Sequence, residues 1–143
     1  MNWLTLALAT ILFYSVFDLF VKLSSNKIHD GLGAFLINLI SAFVVLIYLI
    51  FANFRGEKIF MIKPGGLLFS TLAGIMISLA SIFFLKMFAT GTNLSVGVPL
   101  VRIGIVLIAT ILGLVVLKEG FNVRFLVGFF LAIFGLYILV TAR

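Results

Sequence analysis

Cysteine is absent from the 143 residues, which excludes a disulfide framework and thiolate metal sites. Charge is scarce. Asp, Glu, Lys and Arg make up 10% of the chain, where soluble domains carry about 25%. The single His, at position 29, and four scattered acidic residues leave no set of ligands for a metal cluster. No nucleophile elbow, phosphate loop or zinc spacing is present. A soluble-type enzyme is therefore not expected, and no cofactor is expected.

Apolar residues are plentiful instead. They make up 64% of the chain, and mean hydropathy is +1.40. A 143-residue soluble fold has no interior large enough for so much apolar surface. The apolar residues fall into five stretches, 3–24, 33–54, 67–88, 94–117 and 123–140. A hydrocarbon core of roughly 30 Å takes about 20 helical residues to cross, so each stretch reads as one transmembrane helix. The expected fold is all-α: five spanning helices in a single domain, 1–143, surrounded by the lipid bilayer. The opening stretch has no basic flank and no clear small-x-small cleavage site, so it reads as a resident helix rather than a removed signal peptide.

The net charge of +6 does not indicate nucleic acid, because the basic residues stand singly at helix ends and not in a patch. Such residues reach to the lipid headgroups. Five spans put the termini on opposite sides, and the side holding the N-terminus is called side A. Its connectors hold Arg55, Lys58, Lys63, Lys118 and Arg124, five in all, against Lys22, Lys27, Lys86 and Arg143, four, on side B. A difference of one biases insertion little. Insertion in both orientations, giving an antiparallel pair of identical chains, and a single orientation with side A inside both remain open.

Connector composition divides the chain into one helix followed by two hairpins. Ser24-Ser25-Asn26, Asp30-Gly31 and Gly33 are breakers between the first two stretches, and Lys63-Pro64-Gly65-Gly66 precedes the third. Gly91-Thr92-Asn93 makes a tight turn, Lys118-Glu119-Gly120 closes the fourth stretch, and Asn122 is placed to cap the fifth.

Polar residues inside the stretches carry the functional signal. Asp18 lies one turn inside Lys22, about 6 Å, and Arg102 seven residues beyond Ser95, about 10 Å. Both depths are measured from side B, where Asn38, Ser41, Ser78 and Ser81 also fall, or near the midplane. A charge within a span costs about 2.5–3.5 kcal/mol on insertion scales, so it faces a cavity or a partner. Asp18 and Arg102 read either as a substrate or coupling-ion site between the first and fourth helices, or as an ion pair locking them. Asp18 bonded to Lys22 across one turn is a third reading. Tyr14, Asp18 and Lys22 form a stripe at i, i+4 and i+8. Pro99 either loosens the fourth helix as a hinge or shapes its first turn. Gly128, Ala132 and Gly135 line one face of the last helix and allow close approach of another helix, from a second protomer or from the same chain. Of Phe83, Phe84 and Phe88, one is expected to line a cavity. Trp3 is an interfacial anchor.

The run Leu94-Ser95-Val96-Gly97-Val98-Pro99-Leu100-Val101-Arg102, continuing through Gly104–Ile108 to Leu117-Lys118-Glu119, resembles the C-terminal hairpin of EamA-type repeats in the drug/metabolite transporter superfamily. Lys118 stands where those repeats carry Gly. Gly104–Ile108 and the Gly128, Gly135 spacing also resemble the small multidrug resistance proteins of that superfamily, which carry an acid on the first helix where this chain has Tyr14. The five-helix length looks most like the half-size EamA transporters of bacteria and archaea, which implies an integral, multi-pass protein of the prokaryotic inner membrane. The resemblance further implies half of a secondary transporter, completed by a second copy (antiparallel) or by a paralogue. Such a pair would move a small molecule or ion through a site near the midplane. Asp18 and Arg102 would bind solute or ion, while Tyr14, Asn38, Ser78 and Ser81 would line the path. A dual-topology ion channel and a non-transporting or lipid-flippase subunit of a membrane complex are the alternatives.

Overall fold

The computed structural model describes residues 2–60, 62–120 and 122–141, the side chains of 136, 139 and 140 aside. Arg143, counted above among the side B charges, lies outside them. Five helices follow one another: α1 (Trp3–Ser24), α2 (Asp30–Phe54), α3 (Gly66–Ala89), α4 (Leu94–Val115) and α5 (Val123–Thr141). No strand occurs among the described residues. α1 to α4 are each long and apolar enough to cross a membrane, with at most 11% of the apolar window buried. In α5 the apolar stretch counted over described residues is Val123–Gly135, within a helix of 19 residues. Faces this apolar and this exposed are stable only in lipid. The chain has the architecture of a multi-pass membrane protein.

The helices form two compact units, Met1–Gly91 and Thr92–Arg143. In the first, α3 packs against both α2 and α1; in the second, α4 packs against α5. The two hairpins expected from connector length are both present.

Packing in the first unit is concentrated at its side-B end. Val21, Ala34, Leu85 and Phe88 are buried there, together with Gly33 and two polar residues, Asp18 and Ser25. Gly33 sets the α2–α3 register. A Cβ on it would stand 3.2 Å from Leu85 Cδ1 and 3.3 Å from Ile28 Cγ2. Its missing side chain therefore lets Leu85 seat against the α2 backbone. Residues 35–51 of α2 and 66–84 of α3 contain no buried position.

Two helix boundaries differ from the sequence expectation by more than one residue, each for a local reason. α2 begins at Asp30, three residues before the expected start, because His29 caps it. The Nδ1 of His29 accepts from Gly31 N–H at 3.2 Å, and its carbonyl accepts from Gly33 N–H at 2.8 Å. The glycines expected to interrupt the chain are thus inside the first turns. α4 ends at Val115, two residues early. Leu117 N–H turns back to Leu112 O at 3.3 Å, Lys118 takes a left-handed φ of 54°, and Glu119 N–H reaches Gly113 O at 3.0 Å. Position 118 thus has the backbone conformation that favours glycine.

Other connectors follow their composition. Ser24–Lys27 is a type II turn: Lys27 N–H bonds to Ser24 O at 3.0 Å, Ser25 has φ −56° and ψ 139°, and Asn26 has φ 62°. Gly65, φ 81°, opens α3, and Gly91, φ 91°, turns the chain after it. Asn122 caps α5 as expected, its Oδ1 accepting from Phe125 N–H at 2.9 Å.

The close fit at Gly33 yields a double-mutant prediction. Gly33→Val should destabilise the detergent-solubilised protein by about 1–3 kcal/mol through overpacking. Adding Leu85→Ala should restore part of that loss, as read by the shift in thermal midpoint. Additive losses from the two substitutions would contradict the register.

Candidate functional site

Asp18 is the one buried ionisable side chain among the described residues, with 3% of its surface exposed. It sits in an α1 whose apolar side chains, from Leu4 to Phe20, are mostly exposed. Its burial follows from the α1 face that meets α3: Asp18, Val21 and Ser25 stand at i, i+3 and i+7, and all three are buried. Asp18, Tyr14 and Lys22 each have an interaction partner. Tyr14, 46% exposed, also meets Phe17 edge-to-face at 6.2 Å between centroids.

Lys22 does not simply extend toward headgroups. Its Nζ lies 5.2 Å from the centroid of the Phe88 ring, which is fully buried, an arrangement that attracts a cation to the ring face. Phe84 packs edge-to-face on Phe88 at 4.9 Å, whereas Phe83 is 68% exposed. Of the three phenylalanines singled out in the sequence, Phe88 is the one set against the polar stripe of α1.

The α2 and α3 candidates fall in matched layers. Counting inward from Gly33 and Leu85, Asn38 is about 7.5 Å deep and Ser81 about 6 Å. By the same count Ser41 lies about 12 Å in and Ser78 about 10 Å. These side chains bond locally, however. Ser78 Oγ donates to Gly74 O at 2.9 Å, Ser81 Oγ to Ile77 O at 2.8 Å, and Asn38 Nδ2 to Ala34 O at 2.8 Å. Thr10, Ser15 and Thr71 do the same on their own helices. Back-bonding one turn away lets a hydroxyl lie in hydrocarbon without a ligand. The Asn38 carboxamide oxygen accepts no hydrogen bond among the described residues.

The second unit holds the remaining candidates. Arg102 is half-buried on α4 and has an interaction partner. Pro99 is the sixth residue of α4, which overturns the first-turn reading: the N–H it lacks would have bonded to Ser95 O within the helix. On α5, Gly128 and Gly135 have open space where a Cβ would stand, and Ala132 is half-buried. No group of three metal-ligating side chains exists among the described residues.

Ser25 was not evident as a candidate in the sequence. Its Oγ is buried and bonds to nothing among the described residues. The chain matches no protein-family model, no curated protein and no solved structure.

Since the Ser78 and Ser81 hydroxyls are satisfied on α3 itself, Ser78→Ala and Ser81→Ala should each change stability by only about 0.5 kcal/mol. Thermal unfolding in detergent checks this. A larger loss would mean that these hydroxyls bridge to another element.

Proposed function

We propose that this chain is half of a secondary transporter, carrying a small solute by alternating access and completed by a second copy. Asp18 carries the reading. A buried carboxylate inside a membrane span is costly, and such residues mark substrate or ion pathways. It lies in the side-B half, as Asn38 and Ser81 do, so α1, α2 and α3 each bring a polar group to that half. Asp18 binds solute or coupling ion, Asn38 offers its free carboxamide oxygen, and Tyr14 stands one turn deeper on the same stripe. Arg102 supplies a second embedded charge on α4. Pro99, inside that helix, removes one backbone bond and makes α4 the compliant element.

The second copy is supported by what the chain leaves uncovered. The middle of α2 and α3 has no buried residue, and the glycine positions of α5 face open space. Balanced connector charge suits an inverted partner, and inverted pairing places a site near the midplane. In this reading α5 also spans the bilayer. Its small-residue face, Gly128, Ala132 and Gly135, is the closest-approach surface.

Two measurements test the proposal. In proteoliposomes, Asp18→Asn should fold like wild type and lose at least about tenfold in saturable flux, as expected when a charged contact of roughly 1.4 kcal/mol or more is removed. Wild-type flux in that variant would remove Asp18 from the pathway. Because the chain has no cysteine, single substitutions Lys58→Cys and Lys27→Cys report topology without background. Impermeant thiol labelling should reach each of them from both faces of the membrane. Labelling from one face only would exclude the inverted pair.

A further inference from the structure

We propose that Ser25 and Lys22 form a seat for an oxyanion, a phosphate or a carboxylate, at the side-B end of the first unit. The inference deepens the transport reading and rests on it for what the bound group does; the seat itself stands on local geometry. Ser25 is 8% exposed, and its Oγ is the buried side-chain oxygen without a hydrogen-bond partner among the described residues. The reason is specific. Hydroxyls inside these helices commonly turn back to the carbonyl four residues earlier, which for Ser25 is Val21 O. That oxygen already accepts from Ser25 N–H at 3.1 Å and from Ser24 Oγ at 2.9 Å, and a carbonyl oxygen has two lone pairs. The Ser25 hydroxyl is left as a buried donor and acceptor, a state that costs about 1–3 kcal/mol until something binds it.

Lys22 supplies the charge. Ser25 keeps a helical φ of −56°, so its Cβ follows the helix path and lies about 5–6 Å from that of Lys22, three residues earlier on the same face. The Lys22 ammonium is held over the buried Phe88 ring, so it is partly desolvated and placed on this face rather than out among the headgroups. An ammonium and an unused hydroxyl side by side are donors suited to an oxyanion. The acid nearby sets its position. Asp18 lies one turn deeper on α1, so the anion sits at the rim and not at depth.

The test measures binding without flux. Full-length protein in neutral detergent is titrated with inorganic phosphate at constant ionic strength by calorimetry. In parallel, its thermal midpoint is compared in phosphatidylcholine nanodiscs with and without phosphatidylglycerol. Phosphate should bind wild type; Ser25→Ala and Lys22→Gln should each weaken it about tenfold, the worth of one charge-assisted hydrogen bond. Ser25→Thr and Lys27→Gln should bind like wild type. Ser25→Ala, relieved of an unsatisfied group, should be at least as stable as wild type when no anion is present. A Ser25-dependent response confined to phosphatidylglycerol assigns the seat to a lipid headgroup; one to free phosphate assigns it to a solute. Equal responses of wild type and Ser25→Ala in both arms, or none in either, overturn the proposal. A protein that binds phosphate through Ser25 yet carries no solute refutes the transport reading and leaves the seat standing.

Discussion

Hydrocarbon offers no hydrogen bonds, so each polar atom in these helices must find its partner on protein. That constraint governs most of what the side chains do. Thr10, Ser15, Thr71, Ser78 and Ser81 fold their hydroxyls back onto carbonyls of their own helices. His29 and Asn122 satisfy N–H groups at helix starts. Against this background two polar residues are buried among the described residues, Asp18 and Ser25, seven residues apart on α1 and its C-cap. One carries a charge that lipid would reject, and the other a hydroxyl whose usual acceptor is occupied.

Close packing and polarity coincide at the same end of the first unit. Gly33 admits Leu85 to the α2 backbone, Val21 and Ala34 fill the space beside it, and Phe88 closes the cluster beneath Lys22. A dense apolar end of this kind fixes the α1 face and thereby holds Asp18 at a set depth. Farther in, residues 35–51 of α2 and 66–84 of α3 bury nothing. Lipid can cover such faces, but helices in lipid associate through packing and polar contacts rather than through a hydrophobic driving force. The bare middle thus permits a second protein surface without requiring the first unit to unfold or rearrange.

Helix existence was legible because run length and bilayer thickness leave few alternatives, and α1 has the bounds expected from it. The two displaced boundaries depended on side-chain chemistry that composition obscures. Asp30-Gly31 and Gly33 resemble a loop until His29 is seen to cap them, and Leu117 resembles helix until the left-handed Lys118 is seen behind it. Asp18 was legible from the cost of a charge alone. Lys22 was not, since a terminal lysine ordinarily extends to headgroups and nothing in sequence aims it at Phe88. Ser25 was hidden further, because its isolation arises only when Ser24 takes the second lone pair of Val21 O. The spacing of 18, 22 and 25 was visible, but the absence of a partner was not.

The transport proposed for this chain needs one region that keeps its shape and another that yields. The first unit has its fixed part where Gly33, Leu85 and Phe88 meet, and the hydroxyl bonds along α3 stay within that helix without crossing to another. In the second unit the sequence places a proline six residues into α4 and Arg102 three residues beyond it. The lost bond falls between Pro99 and Ser95, so bending there alters the direction in which Arg102 is presented while the rest of α4 stays helical. Gly97, buried between those two residues, adds no side chain to resist the bend. Stiffness around the acid and compliance beneath the base would give the two embedded charges different mobility, and a cycle that alternately exposes a binding group depends on that difference.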